Sequence, residues 1–181
     1  MKLSLKKSFI AVIAACSLTA CVSKGNFTDM LKNYTGSDAS TIYLYDDNTH
    51  EYSLVTYSHN DKDKCYEKIN DEQLTILRRL LKSETMGMNK FTIKPDKKYA
   101  IKSIGFDKWG AYITSIAFIP EANKSYFLNS SSGVVEVENN AEKVYLNRLA
   151  VMKYEETKNL PQPKAWPIKN NTCSNFLTGR L

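Results

Sequence analysis

Between residues 41 and 137, apolar and polar side chains alternate in short runs, and clusters of turn-forming residues punctuate those runs. A period of two sends successive side chains to opposite faces, which is the pattern of half-buried strands. Residues 41–46 form the first such run, with Ile42 and Leu44 on one face and Tyr43 and Tyr45 on the other. Asp46-Asp47-Asn48-Thr49 then supplies turn chemistry, and residues 52–57 alternate again, so the two runs are expected to pair as a hairpin. Residues 58–64 are polar and turn-like. Residues 91–94 and 99–104 flank Pro95-Asp96-Lys97, and residues 111–119 end at Pro120. Residues 124–128 and 133–137 flank Asn129-Ser130-Ser131-Ser132, and residues 144–154, of mixed period, are read as a late strand. Strands this short, separated by turns and without regularly spaced helices, predict a mainly β domain built as an antiparallel β-sandwich. One short helix is expected from residue 70. Asn70 serves as N-cap, Asp71 and Glu72 occupy the first turn, and Leu74, Leu77 and Leu81 share a face. Arg78, Arg79 and Lys82 follow toward its end, so the helix either caps the sandwich or docks on lipid head groups.

The first twenty residues do not fit this pattern. Lys2, Lys6 and Lys7 precede an apolar stretch over 9–15, and small residues follow, as in a secretory signal. The stretch is shorter than the roughly 20 apolar residues a membrane span needs. Leu18-Thr19-Ala20-Cys21 closes it and resembles the lipobox of bacterial lipoprotein precursors. The resemblance implies cleavage before Cys21 and acyl chains on that cysteine, anchoring the protein to a membrane. Val22, rather than Asp, implies sorting to the outer membrane, with the periplasmic face as the default. The expected organisation is a signal over 1–20, a lipidated tether over 21–33 and a single domain over 34–181. Phe27, Met30, Leu31 and Tyr34 are spaced for a short amphipathic helix or for packing of the tether on the domain.

Processing changes the balance of charge and of thiols. The chain carries a formal charge of +6, and the three signal lysines account for half of it. The remaining charges are interspersed without a polybasic block, which argues against nucleic acid as a partner. Cys16 leaves with the signal and Cys21 is acylated, so Cys65 and Cys173 remain in an oxidising compartment and form the one available pair. No C-x-x-C motif or adjacent His favours a redox or metal role for them. A disulfide closing a loop of about 100 residues stabilises by roughly 4.7 kcal/mol in the chain-entropy picture, and often by less. It would tie down a tail in which Pro161, Pro163 and Pro167 oppose regular structure.

Three stretches resemble a loose group of small envelope lipoproteins of bacteria. They are Tyr34-Thr35-Gly36-Ser37-Asp38-Ala39 leading to Ile42, the element Met86-Gly87-Met88, and the corner from Phe118 to Tyr126. Ser37 stands where that group more often has Pro, and Asn123 where it more often has Gly; Asn tolerates the left-handed conformation such a turn needs. The resemblance implies a compact β-rich domain and no catalytic residue.

Candidate chemistry is sparse. His50 and His59 are the only histidines, and Asp46, Asp47, Asp61 and Asp63 lie near them in sequence; if the hairpin brought them together they would offer metal ligands, whereas solvated turns are the simpler reading. Asp61-Lys62-Asp63 lacks the remainder of a calcium loop. Met86 and Met88 offer two thioethers, too few alone for copper(I). The chain has no nucleophile-elbow motif and no phosphate-binding glycine loop. No metal, cofactor or catalytic residue is therefore assigned. Tyr43, Tyr45, Tyr52, Tyr57, Tyr66, Trp109, Tyr112 and Trp166 exceed what one sheet face needs, and serve either as core and rim or as an interface. The expectation is a non-enzymatic outer-membrane lipoprotein that binds another envelope protein. The alternative is a lipid-anchored inhibitor or immunity protein acting on a periplasmic toxin or hydrolase. An enzyme acting on the cell wall is the third class.

Overall fold

The computed structural model describes residues 29–75, 87–129, 133–168 and 171–173. Cys21, Met86 and the helix-patterned residues Leu77, Arg78, Arg79, Leu81 and Lys82 lie outside them. Eight strands and two helices follow in chain order: β1 (Ser40–Asp46), β2 (His50–Asn60), β3 (Cys65–Gln73), β4 (Gly87–Ile93), β5 (Lys98–Asp107), β6 (Gly110–Phe118), β7 (Ser125–Asn129), β8 (Gly133–Val137), α1 (Lys143–Val151) and α2 (Tyr154–Thr157). The strands form two four-stranded sheets, ordered β4-β1-β7-β8 and β3-β2-β5-β6, which pack face to face as a β-sandwich.

The alternation in each run decides what lies between the sheets. Ile42 and Leu44 of β1, Tyr126 and Leu128 of β7 and Val134 of β8 meet Tyr52 and Leu54 of β2, Tyr99 and Ile101 of β5 and Phe118 of β6. The opposite face of the first sheet is covered as well. Tyr43, Phe127, Val135 and Val137 lie on its other face under Leu146 and Leu149 of α1. That sheet is therefore covered on both sides, which is why β1 is buried along almost its whole length.

Three details depart from the expected pattern. The turn after β1 does not close a hairpin but carries the chain from one sheet to the other, so β1 pairs with β4 and β7 while β2 pairs with β3 and β5. Asp46 and Asp47 accept bonds from the amides of Asn48 and Thr49, both at 2.9 Å, and Asn48 takes a φ of 57°. The β1–β7 ladder is parallel, unlike the others; between these two strands the chain builds the whole opposite sheet, a connection long enough for a parallel crossover. Helix and strand also change places. Asn70, Asp71 and Glu72 belong to the edge strand β3 rather than to a helix start, and residues 143–151 are helical rather than extended. The turn expected at Asn123 forms, with φ at 59°.

The segment after α2 ties the two sheets together at one end of the sandwich. Pro161 accepts from the Glu136 amide of β8 at 2.8 Å, and Lys164 accepts from Ile119, just past β6, at 2.8 Å. Asn171 accepts from the Tyr66 amide of β3 at 2.7 Å, and the Cys173 amide donates back to the Tyr66 carbonyl at 3.0 Å. At the N-terminal side, Asp29 and Leu31 bond to Gln73 of β3, and Tyr34 donates to Thr92 of β4, so residues 29–34 pack on the domain without forming a helix. Among the described residues no helix is long and apolar enough to cross a membrane.

Candidate functional site

Cys65 and Cys173 meet as expected from the sequence. Cys65 opens β3, Cys173 ends the described tail, and their sulfurs lie at bonding distance with Cα atoms 5.1 Å apart across 108 residues of sequence. Next to this bond Trp166 is 5% exposed, and its indole N–H donates to the Tyr99 carbonyl at 2.8 Å. Its ring stacks obliquely on Tyr57 and Tyr66, with centroids 5.2 and 4.8 Å away, and Lys98 Nζ lies 5.6 Å from the Tyr66 centroid. Three of the eight notable aromatics (Tyr43, Tyr52 and Trp166) are therefore buried, and Tyr45, Tyr57 and Tyr66 are half-buried.

The two that remain exposed stand together at the opposite end of the sandwich, on the hairpin of β5 and β6. Trp109 occupies its tip and is 84% exposed; Tyr112 is 40% and Ile113 59% exposed. Lys108 places its ammonium 5.0 Å from the Trp109 ring centroid. Nothing in the sequence separates these two from the rest, because the covers come from afar: the opposite sheet over Tyr52, α1 over Tyr43 and Tyr45, and Trp166 of the tail beside Tyr57 and Tyr66.

A chain of hydrogen bonds fastens this hairpin to the turn between β1 and β2. The Thr49 hydroxyl donates to Asp47 at 2.7 Å, Thr49 Oγ1 and His50 Nδ1 lie 2.6 Å apart, and His50 Nε2 lies 2.8 Å from the Tyr112 hydroxyl. With the Thr49 proton given to Asp47, a neutral His50 donates through Nδ1 and accepts from Tyr112 through Nε2. Burial works against the Asp47 charge, but the hydroxyl and amide of Thr49, with His50 nearby, outweigh it and hold the carboxyl below its ordinary value. Gly105 makes the contact sterically feasible: a Cβ there would sit 2.4 Å from the Tyr112 ring and 2.8 Å from His50. The arrangement positions Tyr112 on the hairpin that presents Trp109.

His59 lies at the far end of the same strand, with Nδ1 2.6 Å from Asp61 and its ring against Tyr66. Nine residues of strand at about 3.3 Å each separate the two histidines, so they do not converge. Among the described residues no three of His, Cys, Asp and Glu gather as metal ligands. Met88 packs beside Tyr43 and Phe127 in the layer under α1.

The described surface also holds two recesses. One, of about 300 Å³, opens between the sheets at the β3–β4 side, lined by Leu31, Tyr34, Leu54, Glu72, Ile93 and Tyr99. Burial pushes the Tyr99 phenol up to about 12, so it is neutral there at physiological pH. The other, of about 650 Å³, is floored by the Lys124–Glu136 ion pair at 2.5 Å, beside Tyr145 and Pro161. Comparison of the chain with protein-family models, with curated proteins and with solved structures gives no match.

Proposed function

We propose that this chain is a lipoprotein anchored through acyl chains on Cys21 to the outer membrane, facing the periplasm, and that it acts without catalysis by binding another envelope protein. The anchor rests on the signal-like run ending in Leu18-Thr19-Ala20-Cys21. The binding role rests on one observation: Trp109 stands 84% exposed on a hairpin whose Tyr112 is bonded to His50 of the neighbouring strand. Tryptophan and tyrosine concentrate binding energy at interfaces because they bring a large contact area with few rotors to freeze. An exposed aromatic on a hairpin next to a lysine is suited to a partially apolar pocket on a partner.

A photo-crosslinking amino acid at position 109, compared with one at the exposed Val144 of α1, tests the reading in cells. A single envelope protein captured from 109 and not from 144 supports it. Equal capture at both positions, or a purified protein that turns over an envelope substrate, overturns it. Labelling with palmitate tests the anchor separately, and is expected for the native chain and lost in Cys21→Ser.

A further inference from the structure

A β-sandwich of two open sheets has four edge strands, and each exposes a row of backbone groups to pairing with another chain. Three of the four are protected here. The edge of β3 carries Glu67, Lys68, Asp71 and Glu72, and it is paired at its two ends by residues 29–31 and 171–173. The edge of β4 carries Lys90, and Asn33 and Tyr34 bond to its Thr92. The edge of β8 carries Glu136, whose amide is taken by Pro161.

The fourth edge is different. β6 reads Gly-Ala-Tyr-Ile-Thr-Ser-Ile-Ala-Phe, nine residues with no charge and no proline. Its first six residues are exposed, and among the described residues only β5 pairs with it. The described part of the tail reaches this side only beyond the strand, at Ile119. Charge and proline are the usual means of keeping such an edge single, and both are absent from the one edge strand that no other described residue covers.

We propose that β6 is the interface between two copies of this chain, joined antiparallel about a two-fold axis near Ile113 so that two four-stranded sheets become one of eight strands. The inference does not depend on the reading of Trp109 as a contact for an envelope protein. A strand pairing with its own copy sets each residue opposite its mirror position about the axis, so any charge near the centre would face a like charge. β6 has none. In this register Ile113 meets Ile113, Tyr112 meets Thr114 and Ala111 meets Ser115, and the pairing ends before the tail at Ile119. A charged edge such as β3 lacks this self-complementarity, and a heterologous peptide would not require it. About seven paired residues, 110–116, bury less than a standard interface of about 1,200–2,000 Å², so the dimer is expected to be reversible and dependent on concentration.

Sedimentation velocity of the full chain in detergent, over a concentration series, provides the test, alongside Ile113→Lys and the control Ile69→Lys on the protected edge of β3. The proposal expects a monomer–dimer equilibrium that Ile113→Lys weakens about tenfold or more and Ile69→Lys leaves unchanged. Ile113→Cys supplies a second readout that does not depend on how the lysine is tolerated: it is expected to give a disulfide-linked dimer under mild oxidation, and Ile69→Cys is not. A monomer at every concentration overturns the proposal. So does a dimer equally sensitive to both lysines, or a β6 edge that crosslinks in cells to a different protein and not to itself.

Discussion

Trp166 holds the tail through geometry no neighbouring residue in sequence supplies. Its N–H reaches the Tyr99 carbonyl at 2.8 Å and its ring fills the space between Tyr57 and Tyr66. Trp166→Phe keeps most of the apolar contact and loses the bond, so it is expected to cost about 1–3 kcal/mol in urea unfolding. Loss of less than a few tenths would show that water replaces the indole. Asp47 gives a second test, through pH. Its folded pKa lies below the ordinary 3.8, so its contribution to stability is present above the unfolded value and is lost as pH falls through the folded one. Asp47→Asn is therefore expected to lower stability at neutral pH and to flatten the loss of stability on acidification below about pH 4, read from melting temperature against pH. The turn chemistry around Asp47 was legible in the sequence, because Asp and Asn bond locally to their own backbone. The His50–Tyr112 contact was not, because 62 residues separate the partners.

At the scale of elements, the strands that bury one clean face were legible, and the two exchanged assignments each have a physical cause. β3 is an edge strand with Glu67 and Lys68 in solvent and Asp71 and Glu72 half-buried, so residues 67–72 carry the Asn-Asp-Glu signature of a helix start while serving to protect an edge. α1 buries only Leu146 and Leu149, whereas Val144 and Val151 are 78% and 79% exposed. Those two valines blur the helical period and lend the segment strand propensity. The hairpin assignment for β1 and β2 failed because a short connection fixes proximity but not whether the next strand joins the same sheet. The unequal burial on α1 makes a direct prediction. Leu149→Ala is expected to destabilise by about 2–5 kcal/mol, because the layer over Phe127 and Val135 opens a cavity. Val151→Ala, on the exposed side, is expected to stay within about 0.5 kcal/mol. Comparable losses at the two positions in chemical denaturation would place α1 in a different orientation.

The whole molecule depends on how its last described segment crosses from one sheet to the other. The tail touches β8 at Glu136, passes the end of β6 at Ile119, seats Trp166 under Tyr57 and Tyr66, and ends bonded to β3 through Cys173. The prolines in the sequence announced an irregular tail, but its path depends on contacts with strands from both ends of the domain. The disulfide closes a loop of 108 residues that contains every strand from β3 to β8. Constraining the unfolded chain over that span stabilises by up to about 4.7 kcal/mol. The non-covalent ties of the tail act on the folded state instead, and the two effects are separable. Cys173→Ser is expected to lower the melting temperature under oxidising conditions and to match reduced native protein, since both lose the same constraint. If the ties at Ile119, Tyr66 and Trp166 suffice to dock the tail, Trp166 stays shielded in Cys173→Ser below its melting transition, and quenching of its fluorescence by an added solute is unchanged; the comparison is made with Trp109→Phe in both backgrounds to remove the exposed tip. Faster quenching before unfolding would mean that the covalent bond, rather than the packing, holds the tail across the two sheets.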